Sequence, residues 1–189
     1  MSANELIPKN DLVQLLKQGE MELVSRMPYS SNATFLVNIT GSDSQCQGIY
    51  KPLKGERPLW DFEPGLHKRE VAAYELSEAM GLDIVANNTD RKAGHCLLDT
   101  QQRVWAIDHG VCFAADFKLR TVIWEFGGEE LPQSLREVIE PLTETVPLNI
   151  SALLTSDEVF ALQERAKWIC EGGAFPIDRS GSRYPWPLV

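Results

Sequence analysis

Apolar residues recur at helical spacing in "DLVQLLKQGEMELV", residues 11–24, where Leu12, Leu15 and Leu16 share a face behind Asp11, and this predicts a helix with Asp11 as its cap. The period then falls to two. Phe35, Val37 and Ile39 alternate in "SSNATFLVNIT", "GSDS" supplies turn residues, and "CQGIYKPL" returns, which predicts a two-stranded hairpin. "PGLHKREVAAYELSEAMG" predicts a second helix, with Pro64 where it starts and Gly81 where it stops. Two short alternating runs, "HCLL" and "VWAI", flank "DTQQ" and predict another hairpin. "PQSLREVIEPL" and "SDEVFALQERAKWICEGG" follow as helices, the latter closed by Gly172 and Gly173, and the prolines of "RYPWPLV" keep the tail extended. The pattern is that of an α+β chain with strands early and helices late, without repeats or a long linker, and it predicts one domain over residues 1–189.

Composition narrows the partners. A chain of 189 residues, 43% hydrophobic and 24% charged, is long enough to bury a core, and its formal charge of −9 argues against a nucleic-acid or anionic-membrane surface, which needs clustered Lys and Arg. No window approaches the roughly 18 consecutive apolar residues of a membrane span, and "MSANELIPKNDLVQLL" lacks a basic segment followed by an apolar one, so a cytoplasmic location is expected. Cys46, Cys96, Cys112 and Cys170 are scattered without a CxxC pair, as in a protein with reduced thiols.

The segment "NNTDRKAGHCLLDTQQRVWAIDHG" carries the chemistry. Antiparallel pairing of "HCLL" with "VWAI" brings His95 to the same end as Asp108, with Asp90 in the loop leading to that end. Three groups able to act as acid, base or metal ligand thus converge on one edge of an apolar ribbon; carboxylates there call for a cation, unless the edge is simply solvated and paired with Arg91 and Lys92. Upstream, Lys51 ends the "GIY" strand and Glu70 flanks the apolar stripe of the following helix, an arrangement in which a lysine can hold phosphate and a glutamate can orient it. His95, Asp108 and His109 form an alternative transition-metal set for a hydrolase, although adjacent strand residues face opposite ways.

Taken together, "MPYSSNATFLV", "GIYKPLKGERPLWDF", "HKREVAAYELSEAMG", "NNTDRKAGH", "WAIDHGVCF" and "KLRTVIWEFGG" resemble a bacterial family of uncharacterised proteins related to the phosphatidylinositol 3-/4-kinases and to HipA-like kinases, from about Ser25 to Trp186. The resemblance implies a reduced protein-kinase-like fold, with a small β-containing N-terminal lobe at 1–81 and a mostly helical part at 82–189. It implies ATP and Mg²⁺ (or Mn²⁺) as cofactors and an unidentified hydroxyl acceptor. "DRKAGH" resembles the DRxxxN loop and "DHG" the DFG end of that superfamily. Asp90 then matches the catalytic aspartate, Asp108 the metal-holding aspartate, and His95 stands at the Asn metal ligand. Lys51 and Glu70 match the phosphate-binding lysine and its helix partner, and Ser30, Ser31 and Asn32 occupy the phosphate loop. Two departures follow. Imidazole suits Mn²⁺ or Zn²⁺ better than Mg²⁺. Only Leu82 to Ala86 separate Gly81 from Asn87, too few residues at roughly 3.3 Å each for the strands and hinge that grip adenine. A phosphotransferase and a pseudokinase or binding module are both compatible with that pattern.

Overall fold

The computed structural model describes residues 7–28, 30, 32–59, 62–81, 90–98, 102 and 104–186. It is a mixed α+β chain that divides into two compact units, Met1–Leu59 and Trp60–Val189.

The first unit is one helix against one sheet. α1 (Lys9–Gln18) leads into β1 (Glu20–Arg26), β2 (Phe35–Thr40) and β3 (Gln45–Tyr50), an antiparallel sheet in the order β1-β2-β3. The sequence pattern predicts helix through residue 24; the structure ends it at Gln18, and "EMELVSR" forms β1. Gly19 is the reason. A Cβ there would lie 2.6 Å from the Leu15 carbonyl oxygen and 2.7 Å from Ile39 Cγ2, so only glycine lets the extended chain leave the helix this close to the sheet. The expected Asp11 cap is likewise displaced: Pro8 occupies the cap position and Asp11 lies in the first turn, where its charge complements the helix dipole. Val37 and Ile39 alternate inward from the central strand onto Leu15 and make this unit's core, while β1 is exposed along its whole length as an edge strand. The β2–β3 hairpin forms as the alternation predicts, Phe35 opposite Tyr50 and Thr40 opposite Gln45.

The second unit is mostly helical. α2 (Leu66–Ala79) is followed by β4 (Asp90–Arg91), β5 (Cys96–Leu98), β6 (Val104–Ala106) and β7 (Arg120–Thr121), then α3 (Gln133–Ile139), α4 (Leu148–Ser151) and α5 (Ser156–Gly172). β5 and β6 form the antiparallel hairpin that the alternation predicts, and β4 and β7 pair in parallel, which no local pattern announces. Gly65 and Gly81, both with positive φ, bracket α2. Ala72, Ala73 and Leu76 of α2 pack with Ile139, Leu142, Ile150, Leu162 and Ala166 of the later helices, so α2 belongs with the helices that follow it. The two alanines are the part of that surface that permits close helix approach. Cys112 and Phe113, just past the β5–β6 hairpin, enter the same core and anchor the hairpin's exit.

Among the described residues, Arg69 and Glu158 form an ion pair buried inside this unit. Arg69, on the buried face of α2, donates from Nε to Glu158 Oε1 at 2.5 Å, forms an ion pair with the same carboxylate through Nη2, and donates from Nη1 to the Glu63 carbonyl at 2.8 Å. Glu158 also closes a capping box at the start of α5: its Oε2 accepts from the Thr155 backbone N–H at 2.9 Å while Thr155 Oγ1 accepts from the Glu158 N–H. One carboxylate therefore starts α5 and ties it to α2. Arg69→Met, which strands that carboxylate, is expected to destabilise the chain by about 3 to 5 kcal/mol, whereas Thr155→Ala, which removes the cap alone, should cost about 1 kcal/mol. Urea unfolding of the two variants checks this, and equal costs would show that the pair adds nothing beyond the cap.

Candidate functional site

The β5–β6 hairpin has three residues a side, Cys96 opposite Ala106 and Leu98 opposite Val104, and the Ile107 N–H extends its ladder to the His95 carbonyl at 3.0 Å. The pairing brings His95 and Asp108 to one end, with Nε2 of the imidazole 3.5 Å from Oδ2 of the carboxylate. The Asp108 side chain is 55% exposed and that of His95 17%. Asp108 has φ 63°, a left-handed conformation that costs most side chains energy and that aspartate tolerates better than most. β6 has already ended at Ala106, so Asp108 and His109 do not alternate as neighbours on a strand would: the kink leaves Asp108 outside and turns His109 in.

Arg91 holds this end from beneath. It is 7% exposed, and it donates from Nη1 to the carbonyls of His95 (3.2 Å) and Ile107 (3.0 Å) and from Nη2 to Nδ1 of His109 (3.2 Å). Nε2 of His109 lies 3.0 Å from the Ala106 carbonyl. A guanidinium can only donate and a carbonyl can only accept, so His109 must be neutral with its proton on Nε2. Burial and the Arg91 charge accordingly hold its pKa below the ordinary histidine value, against the Ala106 hydrogen bond and the charges of Glu70 and Asp108. With both ring nitrogens engaged, His109 has no lone pair for a metal, which removes the third ligand of the hydrolase set. Among the described residues no group of three His, Cys, Asp or Glu side chains converges as a metal cage.

The helix completes the mount. Glu70 Oε2 accepts the backbone N–H of His109 at 2.8 Å, fixing the turn next to Asp108. Gly110 lies against the first turn of α2, where a Cβ would meet Leu66 Cβ at 3.2 Å and the Leu66 carbonyl oxygen at 3.4 Å, tight enough to push the turn away. Cys112, two residues on, is fully buried, and burial pushes its thiol pKa up, so it is no nucleophile.

The remaining candidates are distributed as follows. Asp90 begins β4 opposite Arg120. Lys51 directly follows β3 in the first unit and is exposed. Ser30 donates to Thr34 Oγ1 at 2.7 Å, and Asn32 Oδ1 accepts the Arg57 N–H at 3.0 Å, so both brace their own loop; Ser31 lies outside the described residues, as does the 82–86 connection. The residue whose role the sequence pattern misses is Arg91, expected only as a solvated partner of the carboxylates. Its signal was a cation beside an apolar hairpin: such a residue is buried only when its donors are met, and here the hairpin's own carbonyls meet them.

Arg91→Lys removes the fork that reaches several acceptors, and it is expected to cost about 1.5 to 3 kcal/mol of stability, read from urea unfolding. A loss no larger than that of an exposed Arg→Lys change would remove the guanidinium from this role. Because the folded state holds His109 neutral, its contribution is complete above the unfolded histidine pKa near 6.5 and is lost as pH falls through the depressed folded value. Melting temperature should therefore drop between about pH 6.5 and 5 more steeply in the native chain than in His109→Gln. Parallel curves for the two would show that His109 titrates alike in both states.

No family model matches the chain, and no solved structure matches it. A protein of Mycobacterium tuberculosis (strain ATCC 25618 / H37Rv), named Protein Rv2133c, is 24% identical over 266 aligned positions that take in 95% of this chain and 96% of the relative. Those positions outnumber the 189 residues of this chain, so the relative carries internal sequence that this chain lacks.

Proposed function

We propose that this chain is a reduced kinase-like phosphotransferase, dependent on ATP and Mg²⁺ (or Mn²⁺), that acts on a hydroxyl of an unidentified acceptor. The observation that carries the reading is the hairpin end: an exposed, left-handed Asp108 whose neighbours are fixed by Arg91, Glu70 and the Gly110 contact. A carboxylate presented to solvent on a fixed turn suits a cation that arrives with a phosphate ligand. Mg²⁺ keeps most of its waters and takes one or two protein carboxylates beside the phosphates, so a site without a three-residue protein cage fits it. Bound there, the ion supplies neutralisation of phosphate charge.

The chain's own residues would do the rest. Asp108 holds the cation, and His95 at 3.5 Å orients that carboxylate as a hydrogen-bonding partner, since imidazole is a poor ligand for so hard an ion. Asp90 orients the acceptor hydroxyl. Lys51, Ser30, Ser31 and Asn32 keep the phosphate-binding roles that the resemblance implies. Glu70 steadies the metal turn through the His109 N–H. The alternative, a pseudokinase that binds without transferring, is favoured by one observation: the Mycobacterium relative carries internal sequence absent here, and only five residues, Leu82 to Ala86, stand where the resemblance places the adenine hinge.

Calorimetric titration with ATP and with GTP, each with and without Mg²⁺, tests both readings. Weak, metal-dependent binding is expected, with ATP preferred over GTP by less than about tenfold because no hinge reads the base. Asp108→Asn should abolish the metal dependence and leave the melting temperature in chelator unchanged or higher, since asparagine takes the left-handed conformation of this turn at least as well as aspartate. Phosphate release or transfer from bound ATP separates the enzyme from the pseudokinase. Metal-independent binding equal in native chain and variant would sink the Asp108 assignment.

A further inference from the structure

Seven residues beyond Asp108 the chain passes along α5, and the two together line a groove of about 360 Å³. Three large aromatics face it with much of their surface in water: Phe117 at 55%, Phe160 at 64% and Trp168 at 50% exposure. On α5 the lining positions step Asp157, Phe160, Ala161, Glu164, Arg165 and Trp168, the three-and-four spacing of one helix face. This face is the outer side of α5, since Leu162 and Ala166 on the other side enter the core. Phe117 and Trp168 stand edge to face with centroids 5.9 Å apart, so the aromatic lining is ordered.

The charges at the groove indicate its occupant. Asp116, Asp157 and Glu164 line it, and of these Glu164 already accepts from Lys167 Nζ at 3.0 Å, which leaves the exposed carboxylates of Asp116 and Asp157. The one cation in the lining, Arg165, is turned inward: its Nη2 donates to the carbonyls of Ala114 and Asp116, and burial lowers its pKa. The groove therefore presents aromatic surface and carboxylates, a pairing that selects a cation with an apolar stem. The chain supplies its own example at one end, where the Arg183 guanidinium lies 5.7 Å above the Phe117 ring.

We propose that this groove is a docking site for a basic, partly apolar peptide segment, with an arginine or lysine stem lying over Phe160 and Trp168 and its charge meeting Asp157. Leucine-like neighbours would fill the space beside Ala161. The groove's lining shares no residue with the hairpin end and the proposal does not rest on phosphotransfer: a peptide could bind here whether or not the hairpin end holds a metal.

The test uses the full chain and a fluorescein-labelled short peptide with one central arginine between leucines, alongside the same peptide with glutamate in place of arginine. Fluorescence anisotropy should show saturable binding of the arginine peptide and at least about tenfold weaker binding of the glutamate peptide. Phe160→Ala and Asp157→Lys, both exposed and outside the hairpin site, should weaken the arginine peptide at least about fivefold with the far-ultraviolet circular dichroism of the folded chain retained, Asp157→Lys also melting slightly lower because it reverses a charge in the first turn of α5. Nucleotide binding should be the same in both variants, so failure here and failure at Asp108 are read separately. Three results would overturn the proposal: equal binding of the two peptides, unchanged binding by both variants, or no binding of the arginine peptide at about 1 mM. A fourth is self-association, seen by sedimentation, that Phe160→Ala abolishes and the peptide does not compete with; it would assign the face to a second copy of this chain.

Discussion

A buried guanidinium has five N–H donors and no acceptor, so it can sit in the interior only where several acceptors point at one spot. Arg91 creates that demand, and the β5–β6 hairpin answers it with two carbonyls and an imidazole nitrogen. The hairpin needs this. Three residues a side make a ribbon that is marginal alone, and Cys96, Leu97, Leu98 and Val104 in it are exposed. The turn that follows it carries a left-handed aspartate, a conformation that persists only where the surroundings over-determine it. Arg91 below, Glu70 on the His109 N–H and Leu66 against Gly110 supply that determination from three directions.

The same logic gives the second unit its other internal charge. Arg69 and Glu158 are each almost wholly buried, and neither would be tolerated alone. Paired, they register α2 against the start of α5 through a carboxylate that the capping box has already fixed. Since α2 carries both Arg69 on its core face and Glu70 on its flank, the helix that is locked to the core is also the helix that steadies the candidate site. Strain at Asp108 is thereby supported from a helix that is itself fixed in the core.

Much of this is local and can be read from the chain. Phe35, Val37 and Ile39 alternate because one face of β2 meets a helix, and the pattern yields both the hairpin and its register. Gly81 marks the end of α2, as the pattern predicts, because the chain there takes a positive φ, while the start falls at Gly65, one residue past the expected Pro64. The convergence of His95 and Asp108 follows from period two alone, since antiparallel strands joined by a short turn must bring those positions together.

What tertiary structure decided is what depends on residues distant in sequence. The helical period of residues 11–24 continues past Gly19, but the chain turns extended there to pair β1 with β2, at a point where a Cβ would meet both the Leu15 carbonyl oxygen and Ile39, twenty residues away. β4 and β7 are two residues each and carry no period that could announce their pairing. Arg91 looks like one more surface cation until the carbonyls of His95 and Ile107 close over it, and Glu70 finds the His109 N–H thirty-nine residues on. The sequence determined the elements and the chemistry brought to one end of a hairpin, because turns and alternation are short-range. Which polar groups are buried, in which tautomer, and which aspartate is left facing solvent was decided by packing, because desolvation acts through whatever the fold places nearby.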